Sequence, residues 1–101
     1  MISYVLYVVD DEETIRESLF MALAGDYTVR TFAEGKGAVE NIQDNPPDLV
    51  LLDIGLPDMN GIEVLKQIKD FDPHIVVIMI TASEDTGSPS IKSFVTAVVG
   101  E

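Results

Sequence analysis

Four apolar runs divide the chain, at residues 4–9, 27–32, 49–52 and 75–80. Continuous runs rich in valine, isoleucine and leucine are typical of strands that are buried on both faces of a parallel sheet. The segment at 27–32 alternates apolar and polar residues only in part and predicts a short strand. Each run therefore predicts one strand, and the run at 75–80 is the most hydrophobic of the four.

Between the runs, apolar residues recur at the spacing of a helix. The three sets are Ile15, Leu19, Ala22 and Leu23; Ala38, Val39 and Ile42; and Ile62, Val64, Leu65 and Ile68. Gly25 ends the first set and Pro46 with Pro47 ends the second, because glycine terminates helices and proline cannot continue them. Strands that alternate with helices predict an α/β fold with a parallel sheet and right-handed crossovers.

The segment after residue 84 permits two predictions. Apolar residues at 91, 94, 95, 98 and 99 fit a helical stripe, with Ser88 as cap, Pro89 in the first turn and Gly100 as stop. Residues 94–99 also form a run rich in β-branched side chains, which is typical of a displaced fifth strand. We favour the helix over residues 88–99, because cap, proline and stop agree with the period.

Composition narrows the class of protein. A chain of 101 residues with 47% hydrophobic residues predicts one domain, spanning residues 1–101, with a divergent tail over 84–101. Cysteine is absent, which excludes disulfides and thiolate metal sites. The net charge of −12 makes nucleic acid and anionic membranes poor direct partners. Without a leader segment or a membrane-length apolar run, we expect a cytoplasmic protein.

Polar residues follow three of the predicted strands. Asp10 and Asp11 end the first, Asp53 ends the third, and Thr81 ends the fourth. Each alone has an ordinary explanation as a helix cap or a turn residue. In open α/β sheets, however, ligands bind beyond the carboxyl ends of the strands, so these groups are expected to converge in one crevice.

Three converging carboxylates predict a magnesium site with phosphoryl chemistry. The carboxylates repel one another, and a hard cation with oxygen ligands, such as Mg²⁺, relieves that repulsion. One carboxylate can attack phosphorus to give an aspartyl phosphate, while the metal offsets the charge of the phosphoryl oxygens. A hydroxyl such as that of Thr81 can donate a hydrogen bond to the incoming phosphoryl oxygens.

Residues 8–12, 51–61 and 80–82 carry a resemblance to a known family. They read VVDDE, LLDIGLPDMNG and ITA. In this order and over roughly residues 4–83, the chain resembles the response-regulator receiver domain of two-component signalling. The resemblance implies a flavodoxin-like three-layer sandwich with strand order 2-1-3-4-5.

The resemblance also implies roles and partners. Asp53 would accept the phosphoryl group from a phosphohistidine on a sensor histidine kinase or phosphotransfer protein. Asp11, Asp53 and the backbone carbonyl of Gly55 would bind Mg²⁺, and Asp10 would act through a metal-bound water. Thr81 would follow the phosphoryl group and relay the signal to a downstream protein target, so the resemblance implies a signalling domain rather than an enzyme.

The tail departs from this family. A receiver continues through a fourth helix, a fifth strand ending in a Lys-Pro pair and a fifth helix, but no Lys-Pro pair occurs here. Lys92 precedes an apolar run instead of ending one, so the family's phosphate-binding lysine is not assigned to it. We expect the fifth strand and fifth helix to be missing or replaced. The edge of strand four would then be covered by the chain's own tail or by a second copy in a homodimer.

Two other functions compete with the phosphoacceptor. The first is a phosphorylation-defective receiver fragment that acts as a structural or protein-interaction module. The second, an aspartate-nucleophile phosphatase, is disfavoured because such enzymes carry a second aspartate two positions after the nucleophile, where this chain has Gly55.

Overall fold

The computed structural model describes residues 3–84 and 92–99, with backbone positions alone from residue 81 onward. Five strands form one sheet in the order β2-β1-β3-β4-β5. The elements are β1 Val5–Val9, α1 Glu13–Leu23, β2 Thr28–Phe32, α2 Gly35–Ile42, β3 Leu49–Asp53, α3 Gly61–Phe71, β4 Val76–Glu84 and β5 Lys92–Val99.

The first four strands are parallel and confirm the predicted α/β fold. β1 pairs with β2 and β3, and β3 pairs with β4. From β1 the chain moves outward to β2 and then returns past β1 to β3. Right-handed crossovers therefore place α1 on one face of the sheet and both α2 and α3 on the other.

The face under α2 and α3, here called the closed face, holds the main core. It packs strand residues at positions 7, 9, 50, 52, 77 and 79 against helix residues at 38, 42, 64 and 68. Most of these side chains are fully buried, among them Tyr7, Leu52 and Val77. Residues that pair across neighbouring strands lie on the same face of the sheet. Tyr7 pairs with Val50, and Val50 pairs with Val77.

The opposite face, here called the open face, is covered unevenly. Where α1 lies over β1, Leu6 and Val8 are buried. On β3 and β4 the corresponding residues are only half-buried: Leu49, Leu51, Val76, Ile78 and Ile80. A groove of about 380 Å³ runs beside them, lined by Leu6, Leu23, Leu51 and Ile78 among others.

The tail corrects our prediction of a helix. Residues 92–99 form β5, which runs antiparallel to β4, so the displaced strand was the right alternative there. The β-branched side chains favour a strand, and the edge of β4 offers unpaired amides and carbonyls that a strand satisfies and a helix does not. The predicted start of the helix, at residues 88–91, lies outside the described residues.

Pairing with β5 changes the end of β4 and its exposed edge. β4 continues to Glu84, beyond the predicted end near residue 80, so Thr81 lies inside the strand instead of ending it. The chain's own tail covers the edge of β4, so the homodimer no longer follows from a bare edge. Among the helices of the described ranges, none is long and apolar enough to cross a membrane.

Candidate functional site

Three carboxylates meet at the carboxyl edge of the parallel strands. β1 and β3 are neighbours, and the last paired residues are Val9 with Leu52. The next residues, Asp10 and Asp53, therefore lie side by side at the ends of β1 and β3, and Asp53 still pairs with Ile80 of β4. One carboxylate oxygen from each of Asp10, Asp11 and Asp53 lies within 4.8 Å of the others. The predicted convergence of these aspartates is thus present in the structure.

Backbone amides orient two of these carboxylates in the same way. Oδ1 of Asp10 accepts a hydrogen bond from the Glu12 amide at 2.9 Å, and Oδ1 of Asp53 accepts one from the Gly55 amide at 3.0 Å. In both cases the donor lies two residues after the aspartate, which is the local turn that aspartate favours at the end of a strand. The carboxylates are therefore held in place by the chain that follows them.

Burial and charge make this cluster suited to a cation. Asp10 and Asp53 are only 4% and 7% exposed, whereas Asp11 is exposed. Burying like charges together is costly unless an opposite charge joins them. The donors are all oxygens, which fits a hard divalent cation such as Mg²⁺ better than a softer metal. Asp10, Asp11 and Asp53 could therefore hold a metal ion between them.

The other two predicted site residues lie beside this cluster along the backbone. Gly55 follows Asp53 by two residues in the segment 54–60, here called the acceptor loop. Thr81 directly follows Ile80, the β4 partner of Asp53. Its side chain lies outside the described part of the structure, so the predicted role of the hydroxyl stays a prediction.

Two basic residues, Arg16 and Lys92, can be compared in position with the aspartate cluster. Arg16 donates from Nη1 to the Asp10 carbonyl at 2.8 Å. It also lines a surface cavity with Phe20 of α1 and Thr31 of β2. Lys92 pairs with Glu84, four residues past Ile80 on β4. At roughly 3.3 Å per residue its backbone lies about 13 Å past the end of β3.

Asp58, in the acceptor loop, has a contact that sequence reasoning did not anticipate. Its Oδ1 accepts from the Gly35 amide at 2.9 Å and its Oδ2 from the Lys36 amide at 3.0 Å. The Lys36 amide, and with it the Gly35 amide, holds the pKa of Asp58 below its ordinary value. One available signal was Glu34 at the start of α2, a position where serine, threonine, aspartate or asparagine usually caps the helix.

Fold and cluster together define a doubly wound α/β protein with an acidic crevice at its strand ends. A family model described as the response regulator receiver domain matches residues 6–95. The chain therefore belongs to the response regulator receiver domain family, as the resemblance predicted.

Curated relatives share the domain but are longer. The DNA-binding transcriptional regulator NtrC of Escherichia coli strain K12 is 43% identical over 82 residues, which is 80% of this chain and 18% of that protein. The DNA-binding response regulator MtrA of Mycolicibacterium smegmatis is 37% identical over 82 residues, 80% of this chain and 36% of that protein. The chain therefore spans between 18% and 36% of these two relatives.

Solved structures agree on the fold. The N-terminal domain of a response regulator receiver protein from Methanoculleus marisnigri JR1 is 40% identical, with a TM-score of 0.71. The match covers 83% of this chain and 71% of that chain. A BeF3-activated DrrB receiver domain is 30% identical, with a TM-score of 0.75, and the match covers 83% of this chain and 70% of that one. A CheY-like receiver protein from Methanospirillum hungatei JF-1 reaches a TM-score of 0.78 at 29% identity.

Proposed function

We propose that this chain is a phosphoacceptor switch that takes a phosphoryl group onto Asp53 in a Mg²⁺-dependent reaction. The donor is a phosphohistidine on a sensor histidine kinase or a phosphotransfer protein. The observation that carries the proposal is the cluster of Asp10, Asp11 and Asp53, with one oxygen of each within 4.8 Å of the others at the strand ends. Membership of the receiver family supports it.

For phosphoryl transfer, the main task of the protein is to position the reacting groups. A carboxylate oxygen of Asp53 forms a bond to phosphorus while the bond from phosphorus to the donor nitrogen breaks. The Gly55 amide, 3.0 Å from Oδ1 of Asp53, holds the carboxylate in one orientation for this attack. Thr81, next to Ile80 on β4, would donate its hydroxyl hydrogen to a phosphoryl oxygen.

Mg²⁺ would be held by Asp11, Asp53 and the carbonyl of Gly55, with Asp10 acting through a bound water. When bound, the ion neutralises negative charge on the carboxylates and on the transferred phosphoryl group. Asp10 is buried and held by the Glu12 amide, so it contributes a fixed charge to the site. Asp11 is exposed, so it can adjust to the ion.

Beryllofluoride, a stable mimic of a phosphoryl group, offers a test that needs no partner protein. With Mg²⁺ present, fluorine NMR of the parent protein should show a bound beryllofluoride signal, and chelation of the metal should remove it. Asp53→Asn should give no bound signal, while Asp70→Asn, an exposed aspartate on α3, should leave the signal unchanged. An equal signal in Asp53→Asn would rule out Asp53 as the acceptor.

The alternative, a phosphorylation-defective receiver fragment, is favoured by the backbone of Lys92, which pairs with Glu84, four residues past the β4 partner of Asp53. A charge-assisted contact to a phosphoryl oxygen is worth about 1.5–3 kcal/mol. Without a lysine that contacts the phosphoryl oxygens, phosphorylation should be slower than in a complete receiver by roughly 10- to 150-fold. Rates measured with one small phosphodonor would test this, and equal rates would show that another group supplies the charge.

The output of the switch also belongs to this proposal. A downstream protein target would read the change at Thr81 and the sheet edge. The relatives are called DNA-binding, but the chain spans only the smaller part of them. With a net charge of −12, we propose that this chain itself acts on proteins and does not bind nucleic acid directly.

A further inference from the structure

The acceptor loop leaves β3 and enters α3 at fixed points. The Ile54 amide donates to the Ile80 carbonyl at 3.2 Å, which ties the start of the loop to β4. The Gly61 amide donates back to the Ile54 carbonyl at 3.1 Å and closes the loop on itself. A Cβ at Gly61 would lie 2.6 Å from the Ile54 Cα, so only glycine permits this closure. Both ends of the loop are therefore anchored.

The middle of the loop is anchored by Asp58 to a different element. Its two carboxylate oxygens accept from the amides of Gly35 and Lys36, at 2.9 and 3.0 Å. These are the first two residues of α2, and the residue before them, Glu34, makes no capping bond with its side chain. Asp58 thus caps α2 from a distant part of the chain. Helix N-terminal amides and the helix dipole both favour a carboxylate there.

Beneath this contact, the start of α2 packs closely against the acceptor loop and α3. Gly35 is buried, and a Cβ added to it would lie 2.7 Å from Cγ2 of Val64 on α3. The same Cβ would lie 3.3 Å from Cδ1 of Leu56 and 3.4 Å from Cβ of Met59, both in the acceptor loop. The start of α2, the loop and α3 therefore leave no room for a Cβ at residue 35, and we expect a shift of α2 or α3 to move the loop.

Between these anchors lies Gly55, which links the loop to the candidate metal site. Its amide donates to Oδ1 of Asp53 at 3.0 Å, and its carbonyl is the backbone ligand in the proposed function. We propose that Asp58 is a positioning residue for the metal site: by tying the acceptor loop to α2, it sets the place of the Gly55 carbonyl and of the Asp53 carboxylate. The inference rests on the proposed function and adds to it a residue that contacts neither metal nor phosphoryl group.

A purely structural role for Asp58 makes a different prediction. If the carboxylate only stabilised α2, its removal would lower stability and leave Mg²⁺ affinity unchanged in the folded protein. If it positions the loop, affinity should fall even where the protein is fully folded. Outer residues that orient metal ligands commonly affect metal affinity by about 10- to 100-fold. Affinity and stability must therefore be measured separately.

Asp48 provides a matched control. Its Oδ2 accepts from the Val5 amide at 2.8 Å, so it too ties two separate elements through one carboxylate. It lies directly before β3, at the amino ends of the strands, whereas the aspartate cluster lies at their carboxyl ends. Asp48→Ala and Asp58→Ala change the net charge equally and each remove a carboxylate that accepts backbone hydrogen bonds. A general effect of charge or stability would appear in both variants.

The experiment is a Mg²⁺ titration followed by amide NMR, on the parent, Asp58→Ala, Asp58→Asn and Asp48→Ala. The Gly55 amide signal should report binding in the parent. Asp58→Ala should lower the Mg²⁺ affinity at least about tenfold. Asp58→Asn should lower it less, because one acceptor oxygen remains, and Asp48→Ala should have the affinity of the parent. Hydrogen exchange at Gly35 and Lys36 should accelerate most in Asp58→Ala, less in Asp58→Asn, and not at all in Asp48→Ala.

Each result decides something. Equal affinity in the parent and a folded Asp58→Ala would overturn the positioning role, and so would equal weakening in Asp48→Ala. If Asp58→Ala does not fold, Asp58→Asn answers the question by the same comparison. A parent that shows no response to Mg²⁺ would remove the proposed function, and this inference with it.

Discussion

The two faces of the sheet differ in how well they are covered. On the closed face, Tyr7, Leu52 and Val77 are fully buried under α2 and α3. On the open face, Leu51 and Ile78 are half-buried beside a groove, although they belong to the same strands. The hydrophobic effect scales with apolar area removed from water. The difference therefore predicts that stability is concentrated on one side of a sheet whose sequence is apolar on both.

The buried aspartates of the candidate site follow the strand residues that lie on the open face. Successive strand residues alternate between faces, so Asp10 continues the series of Leu6 and Val8, and Asp53 continues that of Leu49 and Leu51. The strands nevertheless hold these aspartates firmly, because the register and hydrogen bonds of the sheet do not depend on a helix over each position. Placement of the site comes from the strands, and stability comes largely from the closed face.

Neighbouring leucines on β3 give the largest expected contrast. Leu52→Ala removes a fully buried side chain from the closed face and should cost about 2–5 kcal/mol of unfolding free energy. Leu51→Ala makes the same change on the open face and should cost about 1 kcal/mol. Urea denaturation at a fixed protein concentration measures both. Equal losses would mean that the open face is covered in solution, and a dependence on protein concentration would identify a second copy as the cover.

The stability gained on Mg²⁺ binding should depend on the aspartate site and not on how well the sheet faces are covered. Mg²⁺ at ten times its dissociation constant should stabilise the fold by about 1.4 kcal/mol. The same gain is expected in Leu51→Ala, because the strands still place the aspartates. Asp11→Asn should lose most of the gain, since it removes one proposed ligand. Thermal melts with and without Mg²⁺ measure these gains, and identical melts for the parent would show that the site does not bind the ion.

At high pH the protein should lose folding stability through Tyr7, a buried residue of the closed face. Burial raises the pKa of Tyr7 above its ordinary 10.0, with Asp44 adding to the rise and Arg30 opposing it. The folded state therefore holds this proton more tightly than the unfolded state. The associated stability is fully present below about pH 10 and is lost as pH rises through the folded-state pKa. Tyr7→Phe should flatten that part of the curve, and an unchanged slope would locate the alkaline loss elsewhere.

Low pH should have the smallest effect, through Asp58. Its folded-state pKa is lowered from 3.8 by the amides of Lys36 and Gly35. The contact therefore contributes stability above about pH 3.8 and loses it as pH falls through the lowered pKa. Asp58→Asn should show a smaller loss of stability than the parent over that range. Parallel stability curves for the two proteins between pH 5 and pH 2 would contradict this.

The order of elements and the aspartate cluster could be predicted because their signals are local and strong. Apolar runs, helical spacing and breakers such as Pro46 and Gly25 each depend on neighbouring residues alone. The cluster then follows from one general rule about the carboxyl ends of parallel strands. β1 and β3 end beside each other, as that rule requires, although Asp10 and Asp53 are far apart in sequence.

The tail and the Asp58 contact could not be predicted, because both depend on what lies nearby in space. The pattern of Phe94, Val95, Val98 and Val99 fits a helix and a strand alike, and the edge of β4 decides between them. Asp58 looks like an ordinary turn residue after Pro57. Its partner amides at Gly35 and Lys36 come close only after β3 and α2 have packed against the rest of the chain.

The most direct test of the account is intact-mass measurement after incubation with a small phosphodonor and Mg²⁺. The parent should gain one phosphoryl group, about 80 Da, and the gain should disappear on chelation of the metal. Asp53→Asn should gain nothing, whereas Leu51→Ala should gain as the parent does. No gain in the parent, or an equal gain in Asp53→Asn, would contradict the claim that Asp53 is the phosphoacceptor.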